Sequence, residues 1–470
     1  MTFQQLLLMG HELMLVIAAV VIIVTELLVS DKNKGIVVPI AIALLFITMA
    51  LTIAFPAEGR IFGGMYVADS LRTVVKLIMD IATILVLLQS NRWIKAAANH
   101  DKITEFFILI FASLIGMSYM VSAGDFIMLY LGLELATMPV CALAAFDKYK
   151  RVSAEAGIKL IYSSAFSTAL MLMGITFIYA VSGSVYFDDI ALSFQPDAMS
   201  MLGMTFILSG FAFKISLVPF HLWAADVYEG APVAVTSYLS VVSKGAALFV
   251  LTWVLYNVFG SASEIWRQLL VVLAFLTMTI GNLFALRQEN MKRFLAFSSI
   301  AQAGFILLGV LGEGQLGMGT VLFFLTAYVF TNITAFSVVA AIDDATGKEN
   351  ISDYNGLYKT NKQLSLILML ALFSLAGIPP VAGFFGKLFL FNAAASQGYY
   401  WLVFIAVINA TISLYYYLRP VRAMFIEKND APIPFFKSDW YMRICLILCV
   451  LGIFITGFVS AIFEYILSVS

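Results

Sequence analysis

Residues 210–244 read GFAFKISLVPFHLWAADVYEGAPVAVTSYLSVVSK, an apolar stretch that nevertheless holds Lys214, His221, Lys244 and the prolines Pro219 and Pro232. A lysine in the middle of a membrane helix costs about 2.5–3.5 kcal/mol on insertion scales, so it is kept for a partner, a wet cavity or a function. Pro219 comes five residues after Lys214 and removes a backbone donor, which predicts a break in the helix. Backbone freed inside a bilayer must be satisfied by protein or by cavity water. A broken helix with a buried cation beside it is the pattern of an ion-handling site. The expectation is a proton or cation pathway.

Outward from this stretch the chain stays apolar. Hydrophobic residues make up 62% and charged residues 12%, against roughly 25% charged in soluble domains. With a mean hydropathy of +0.98, the chain reads as an all-α polytopic membrane protein embedded in a lipid bilayer. The net charge of −1 says nothing about nucleic acid, but no dense basic block appears and no nucleic-acid partner is expected. Cys141, Cys445 and Cys449 fall in apolar segments and read as small core residues. Three histidines without ligand spacing predict no metal, haem, iron–sulfur cluster or other cofactor on this chain. The N-terminal run TFQQLLLMGHELMLVIAAVVIIVTELLVS has no basic region ahead of a cleavage site and reads as a retained first helix.

Apolar runs between polar breaks predict fourteen spans, at 6–29, 36–55, 66–89, 104–122, 125–145, 153–182, 199–220, 231–257, 264–286, 291–312, 315–341, 363–393, 399–421 and 440–467. No soluble domain fits between them, so 1–470 reads as a single membrane domain. Its parts are helices 1–3 within 1–103, a first repeat over 104–257, a second over 264–421 and a C-terminal helix at 440–467. Loops after odd-numbered spans carry 18 of the 27 Lys and Arg residues, whereas the other loops carry Arg60, with Arg267 at the edge of the ninth span. The positive-inside rule then predicts both termini outside. Gly312-Glu-Gly-Gln-Leu-Gly317 matches a dinucleotide-binding pattern, but no strand precedes it and that reading is set aside.

Lys76, Lys159, Lys214, Lys244 and Lys387 remain within spans, and Arg72 can snorkel to the outer face. Five uncompensated lysines would cost about 12–17 kcal/mol, more than a marginally stable fold absorbs. Glu134 lies nine residues into the fifth span, about 14 Å deep and near mid-bilayer. Lys244, thirteen residues into the eighth, is about 20 Å from the opposite face. Gln302, Tyr328, Thr331 and Asn332 fall at similar depths. A second break, Gly377-Ile-Pro-Pro-Val-Ala-Gly383, precedes Lys387 in the twelfth span. Breaks in spans seven and twelve run in opposite directions, the signature of two inverted five-helix repeats, spans 4–8 and 9–13. Charges about 7 Å apart at an effective dielectric of 20 interact by roughly 2.4 kcal/mol, so moving one changes the proton affinity of the next.

Plainer readings stand beside each of these. Glu134–Lys214 can be a static ion pair, and Lys76–Asp80 a local i,i+4 pair. Lys159 can snorkel to the cytoplasm, Gln302 can be a helix–helix hydrogen bond and His221 a cap.

Three stretches carry a resemblance: FKISLVPFHLWAADVYEGAPVAVTSYLSVVSK, GNLFALRQENMKRFLAFSSIAQAGF (Gly281–Phe305) and AGIPPVAGFFGK (Ala376–Lys387). The chain resembles the antiporter-like membrane subunits of proton-translocating NADH:quinone oxidoreductase, respiratory complex I, and most closely their N type. The resemblance implies a multi-pass protein of the bacterial inner membrane, with both ends on the periplasmic side. It would move protons from cytoplasm to periplasm, driven by redox chemistry on other subunits, with further membrane-arm subunits as partners. The implied roles fall on Glu134 paired with Lys214, on Lys244 in the central relay and on Lys387 in the exit half. Lys159 and Lys292 also match family lysines. Many members carry a histidine where this chain has Gln302, so water is expected to bridge Lys244 to Lys387. The alternatives are a subunit of an Mrp-type Na⁺/H⁺ antiporter and a non-conducting scaffold of the arm.

Overall fold

The computed structural model describes residues 6–470; the N-terminus, whose side of the membrane the charge asymmetry predicts, lies outside the described residues. Packing divides the chain into two compact units. The first holds the chain up to Leu87, Trp93–Lys214 and Val242–Trp266; the second holds Leu88–Arg92, Ile215–Val241 and Arg267–Ser470.

Unit 1 is built from α1 (Gly10–Leu28), α2 (Val37–Ala54), most of α3 (Ser70–Ile94), α4 (Ile103–Val121), α5 (Phe126–Ala144), α6 (Arg151–Ser182) and α7 (Ala198–Lys214). The chain then passes through α8 (Leu222–Gly230) and α9 (Val233–Tyr238), which belong to unit 2, and returns in α10 (Lys244–Asn257). Unit 2 continues with most of α11 (Ser263–Ala285), then α12 (Met291–Leu311), α13 (Gly314–Thr346), α14 (Lys362–Ala376), α15 (Ala382–Ser396), α16 (Tyr400–Phe425), α17 (Trp440–Phe458) and α18 (Ser460–Val469).

Among the described residues, eleven helices are long and apolar enough to cross a membrane. Three of the fourteen expected spans fall outside that count. One is α3, which carries Arg72, Lys76 and Asp80; the others are the two interrupted spans, α7–α8 and α14–α15. Helix is the natural outcome for such sequence, because each backbone group finds its partner within the segment and none is left facing lipid.

In unit 1, α4 and α5 cross where Gly116 meets Gly132. A Cβ on Gly132 would lie 2.5 Å from the Met120 nitrogen, so only glycine admits this approach. Asp125 caps α5, its carboxylate accepting from the Met128 N–H at 2.7 Å.

A short antiparallel hairpin, Gly59–Ile61 with Tyr66–Ala68, leads into α3. It carries Tyr66 onto Glu12 of α1, with the hydroxyl donating at 2.8 Å. Here two expectations are corrected. Lys76 pairs with Glu12 at 2.6 Å rather than with Asp80, and Asp80 instead meets His11 at 2.9 Å. Both α3 side chains turn to α1, where each finds a partner more deeply buried than a solvated i,i+4 neighbour, a pairing worth only a few tenths of a kcal/mol. Arg72 does not snorkel outward either. It is buried, pairs with Asp69, donates to the Val121 carbonyl at 3.1 Å and lies 4.6 Å from the Trp253 ring.

In unit 2, α13 is the central element, packed against α12, α14, α15, α17 and α18, and α12 is buried along its length. Helix α8 packs on α12 and α9 on α13. Arg293 at the start of α12 ties α8 down by donating to Asp226 at 2.7 Å and Glu229 at 2.8 Å.

Candidate functional site

The polar side chains singled out by sequence separate into one group in each unit. In unit 1, α7 ends at Lys214, and Ser216 follows with φ +62°, a conformation no helix continues through. The Lys214 ammonium is buried and donates to the Thr137 hydroxyl of α5. Thr137 gives its single O–H to the Leu133 carbonyl at 2.6 Å, which leaves its lone pairs for the lysine. Glu134, one turn earlier on the same face of α5, is within electrostatic reach of Lys214, and Cys141 lies one turn further on. Thus α5 presents Glu134, Thr137 and Cys141 at helical spacing to one cation. Lys244 is also buried in this unit, at the first position of α10. Immediately before it, Leu239–Ser243 form a π-helical turn, a feature frequent at functional sites. Sequence gave no signal of that turn.

Lys159 stands apart from this group. It lies 40% exposed on α6, paired with Glu155 at 2.7 Å.

The unit 2 group is organised by the break between α14 and α15. Pro379 and Pro380 lack the N–H groups that the Leu375 and Ala376 carbonyls would accept in a continuous helix. Lys387 supplies the replacement: its ammonium donates to Leu375 O at 2.8 Å and to Ala376 O at 3.1 Å. It also lies 4.7 Å from the centre of the Phe305 ring. Among the described residues it meets no carboxylate. The two half-helices pass so closely that a Cβ on Gly383 would overlap the Ser374 carbonyl.

Gln302 of α12 donates to the same Leu375 carbonyl at 2.9 Å and to the Tyr417 hydroxyl at 3.1 Å. Tyr417 is 2.6 Å from Ser298. The Gln302 carbonyl oxygen is buried with no protein partner. Gln302 and Lys387, with Tyr328, Thr331 and Ser374, line a cavity open to a water centre over about 10 Å³, roughly room for one water. Thr331 and Ser374 bond across it at 2.9 Å. Tyr228 of α8 and Tyr328 both turn their hydroxyls to Ser299. Asn332 donates to Ser240 within the π turn at 2.7 Å.

His221 takes the N-cap position of α8 without a side-chain cap bond, its ring instead bonded to the Pro219 carbonyl. Lys292 lies at the α12 N-terminus and pairs with Glu349 at 2.8 Å, so it joins a loop ion pair rather than the cavity. Sequence reasoning missed Thr137, Tyr417, Tyr228 and Ser374. The run Tyr415-Tyr416-Tyr417 was the available signal, but tyrosine rings read as apolar filling in a membrane span.

Residues 123–413 match the family of NADH:quinone oxidoreductase and Mrp antiporter membrane subunits. The NADH-quinone oxidoreductase subunit N of Phocaeicola vulgatus is 48% identical over 457 residues, covering 97% of each chain. A chain of Thermus thermophilus respiratory complex I superposes with a TM-score of 0.82 at 25% identity, over 97% of this chain and 98% of that one. A chain of the Mrp complex from a Dietzia species gives a TM-score of 0.85 at 21% identity, over 100% and 97%.

Proposed function

The chain belongs to the NADH-quinone oxidoreductase subunit N family, and on that premise we propose that Glu134, Lys214, Lys244, Gln302 and Lys387 form its proton pathway. It is a proton-translocating membrane-arm subunit that works beside other membrane-arm subunits. The Mrp likeness shows a shared fold alone, whereas near-full-length identity to subunit N decides between the two families.

One observation carries the pathway: each interrupted span has a buried lysine at its break, Lys214 on Thr137 and Lys387 on the Leu375 and Ala376 carbonyls. In this reading Glu134 and Lys214 exchange a proton in unit 1, and Lys244 carries it on. Gln302 cannot hold a proton as an ion, so its unpartnered carbonyl oxygen orders the water that delivers to Lys387. Lys159, His221 and Lys292 take supporting roles away from the two groups.

The same proposal makes the direction cytoplasm to periplasm across the bacterial inner membrane, with both termini periplasmic. It assigns the chain to the translocase class, with the electron-transfer centres on other subunits. It also treats 1–470 as a single membrane domain with inverted repeats at 104–257 and 264–421, flanked by helices 1–3 and the C-terminal helix.

The test is Lys214→Met or Glu134→Gln in the complete complex reconstituted into vesicles. Each should abolish coupled pumping, read as the pH gradient formed per NADH oxidised. Full pumping in either variant rejects the assigned role.

A further inference from the structure

A second buried cluster of ionisable groups lies in unit 1, away from the pathway, where α1, the hairpin and α3 meet. Glu12 and Tyr66 are fully buried, Asp80 likewise, and Lys76 and His11 are only 5% and 6% exposed. An ion pair, Lys76–Glu12 at 2.6 Å, and a hydrogen bond, His11–Asp80 at 2.9 Å, form its frame. Tyr66 closes the first by donating to Glu12 at 2.8 Å while accepting from Lys76 at 3.1 Å. Each Glu12 oxygen thereby has a partner, and Lys76 donates to two acceptors. The second pair is different, because His11 Nδ1 and Asp80 Oδ1 are both buried without a protein partner.

With Asp80 ionised, its carboxylate only accepts, so His11 Nε2 carries the hydrogen that bonds it and Nδ1 presents a free lone pair. His11 and Lys76 also line a cavity of about 460 Å³ with Thr52, Thr73 and apolar side chains such as Leu13, Met14, Leu51 and Phe55. Among the described residues, the other charged or titratable groups facing the cluster are Arg72 on α3 and Tyr119 on α4; α2, packed on α1, contributes none. With neutral His11, Glu12 and Asp80 stand against Lys76 and the core carries one net negative charge. A proton on Nδ1 cancels it.

From this geometry we propose that His11, oriented by Asp80 and backed by the Glu12–Lys76 pair, is a second proton-exchange site, served by water entering the cavity. Uptake moves a proton from water to Nδ1 and makes an imidazolium whose Nε2–H still donates to Asp80; release returns it. The inference rests on the proton-translocating reading only for its physiological use, since the exchange itself is a local property.

The chain has three histidines, which makes a direct measurement practical. Deuterium exchange at the imidazole C2–H, followed by mass spectrometry on the intact complex from about pH 5 to 9, reads the His11 titration without any variant. A sigmoidal profile is expected, and Asp80→Asn should move its midpoint. A flat profile in the wild type, or a midpoint unmoved in Asp80→Asn, overturns the proposal. His11→Gln keeps a donor to Asp80 but cannot titrate, and should remove one step from the pH profile of pumping while quinone reduction continues. If His11→Gln fails to assemble, the wild-type profile decides alone. Lys214→Met should stop pumping and leave the His11 midpoint in place, so failure of the pathway and failure of this site give different results.

Discussion

Gln302 holds a position from which it bonds both the carbonyl freed by the second break and the Tyr417 hydroxyl, while its own carbonyl oxygen is buried without a partner among the described residues. Gln302→Leu removes one hydrogen bond from a buried carbonyl that keeps Lys387 and one from a buried hydroxyl that keeps Ser298, a loss of about 1–3 kcal/mol for the two. The expected result is a lower melting temperature of the complex and a drop in pumping of tenfold or more. Gln302→His restores a group that both donates and titrates, and should pump within about twofold of wild type. Equal pumping in both variants would remove Gln302 from the route. At this scale the sequence was partly legible. Lys214 and Lys387 announced themselves because a cation beside a proline has few innocent explanations in lipid. Thr137 did not, since a hydroxyl that bonds its own helix looks like any threonine until the neighbouring lysine is seen. His11–Asp80 was illegible for another reason: 69 residues separate the partners, and the nearer Lys76 offered a simpler pairing for Asp80.

Helix ends were read closely, with expected spans at 125–145 and 291–312 observed as Phe126–Ala144 and Met291–Leu311. The reason is physical: within a bilayer hydropathy leaves the backbone one choice. The hairpin at Gly59–Ala68 and the π turn at Leu239–Ser243 escaped because neither changes hydropathy. Contact between elements depends on small residues, and α4–α5 is the sharpest case. Gly132→Leu should prevent assembly of the subunit into the complex, because the nearest obstruction is backbone of α4 rather than a flexible side chain. Gly132→Ala should cost at least about 1–3 kcal/mol, visible as a reduced melting temperature. Unchanged melting in the alanine variant would mean that the two helices separate more readily than their packing implies.

Across the molecule, chain order and packing do not coincide. The segment Ile215–Val241 leaves α7 and packs with unit 2, against α12 and α13, before the chain returns to unit 1 at Val242. Linear reading of spans placed a boundary between 257 and 264, and nothing in the hydropathy of 215–241 betrays which neighbours it will choose. The return crossing falls inside the π turn, whose Ser240 is held by Asn332. Such a turn contains one residue more than an α turn, and each residue of helix rotates the next by about 100°. Deleting Val242 should therefore give a subunit that assembles but pumps at least tenfold more slowly, with quinone reduction retained. Normal pumping would show that the orientation of Lys244 is immaterial. The wide turn thus amounts to slack wound into the backbone beside a cation: taking it up or letting it out would re-aim the ammonium like a key turned in place, with no helix unwound along the way.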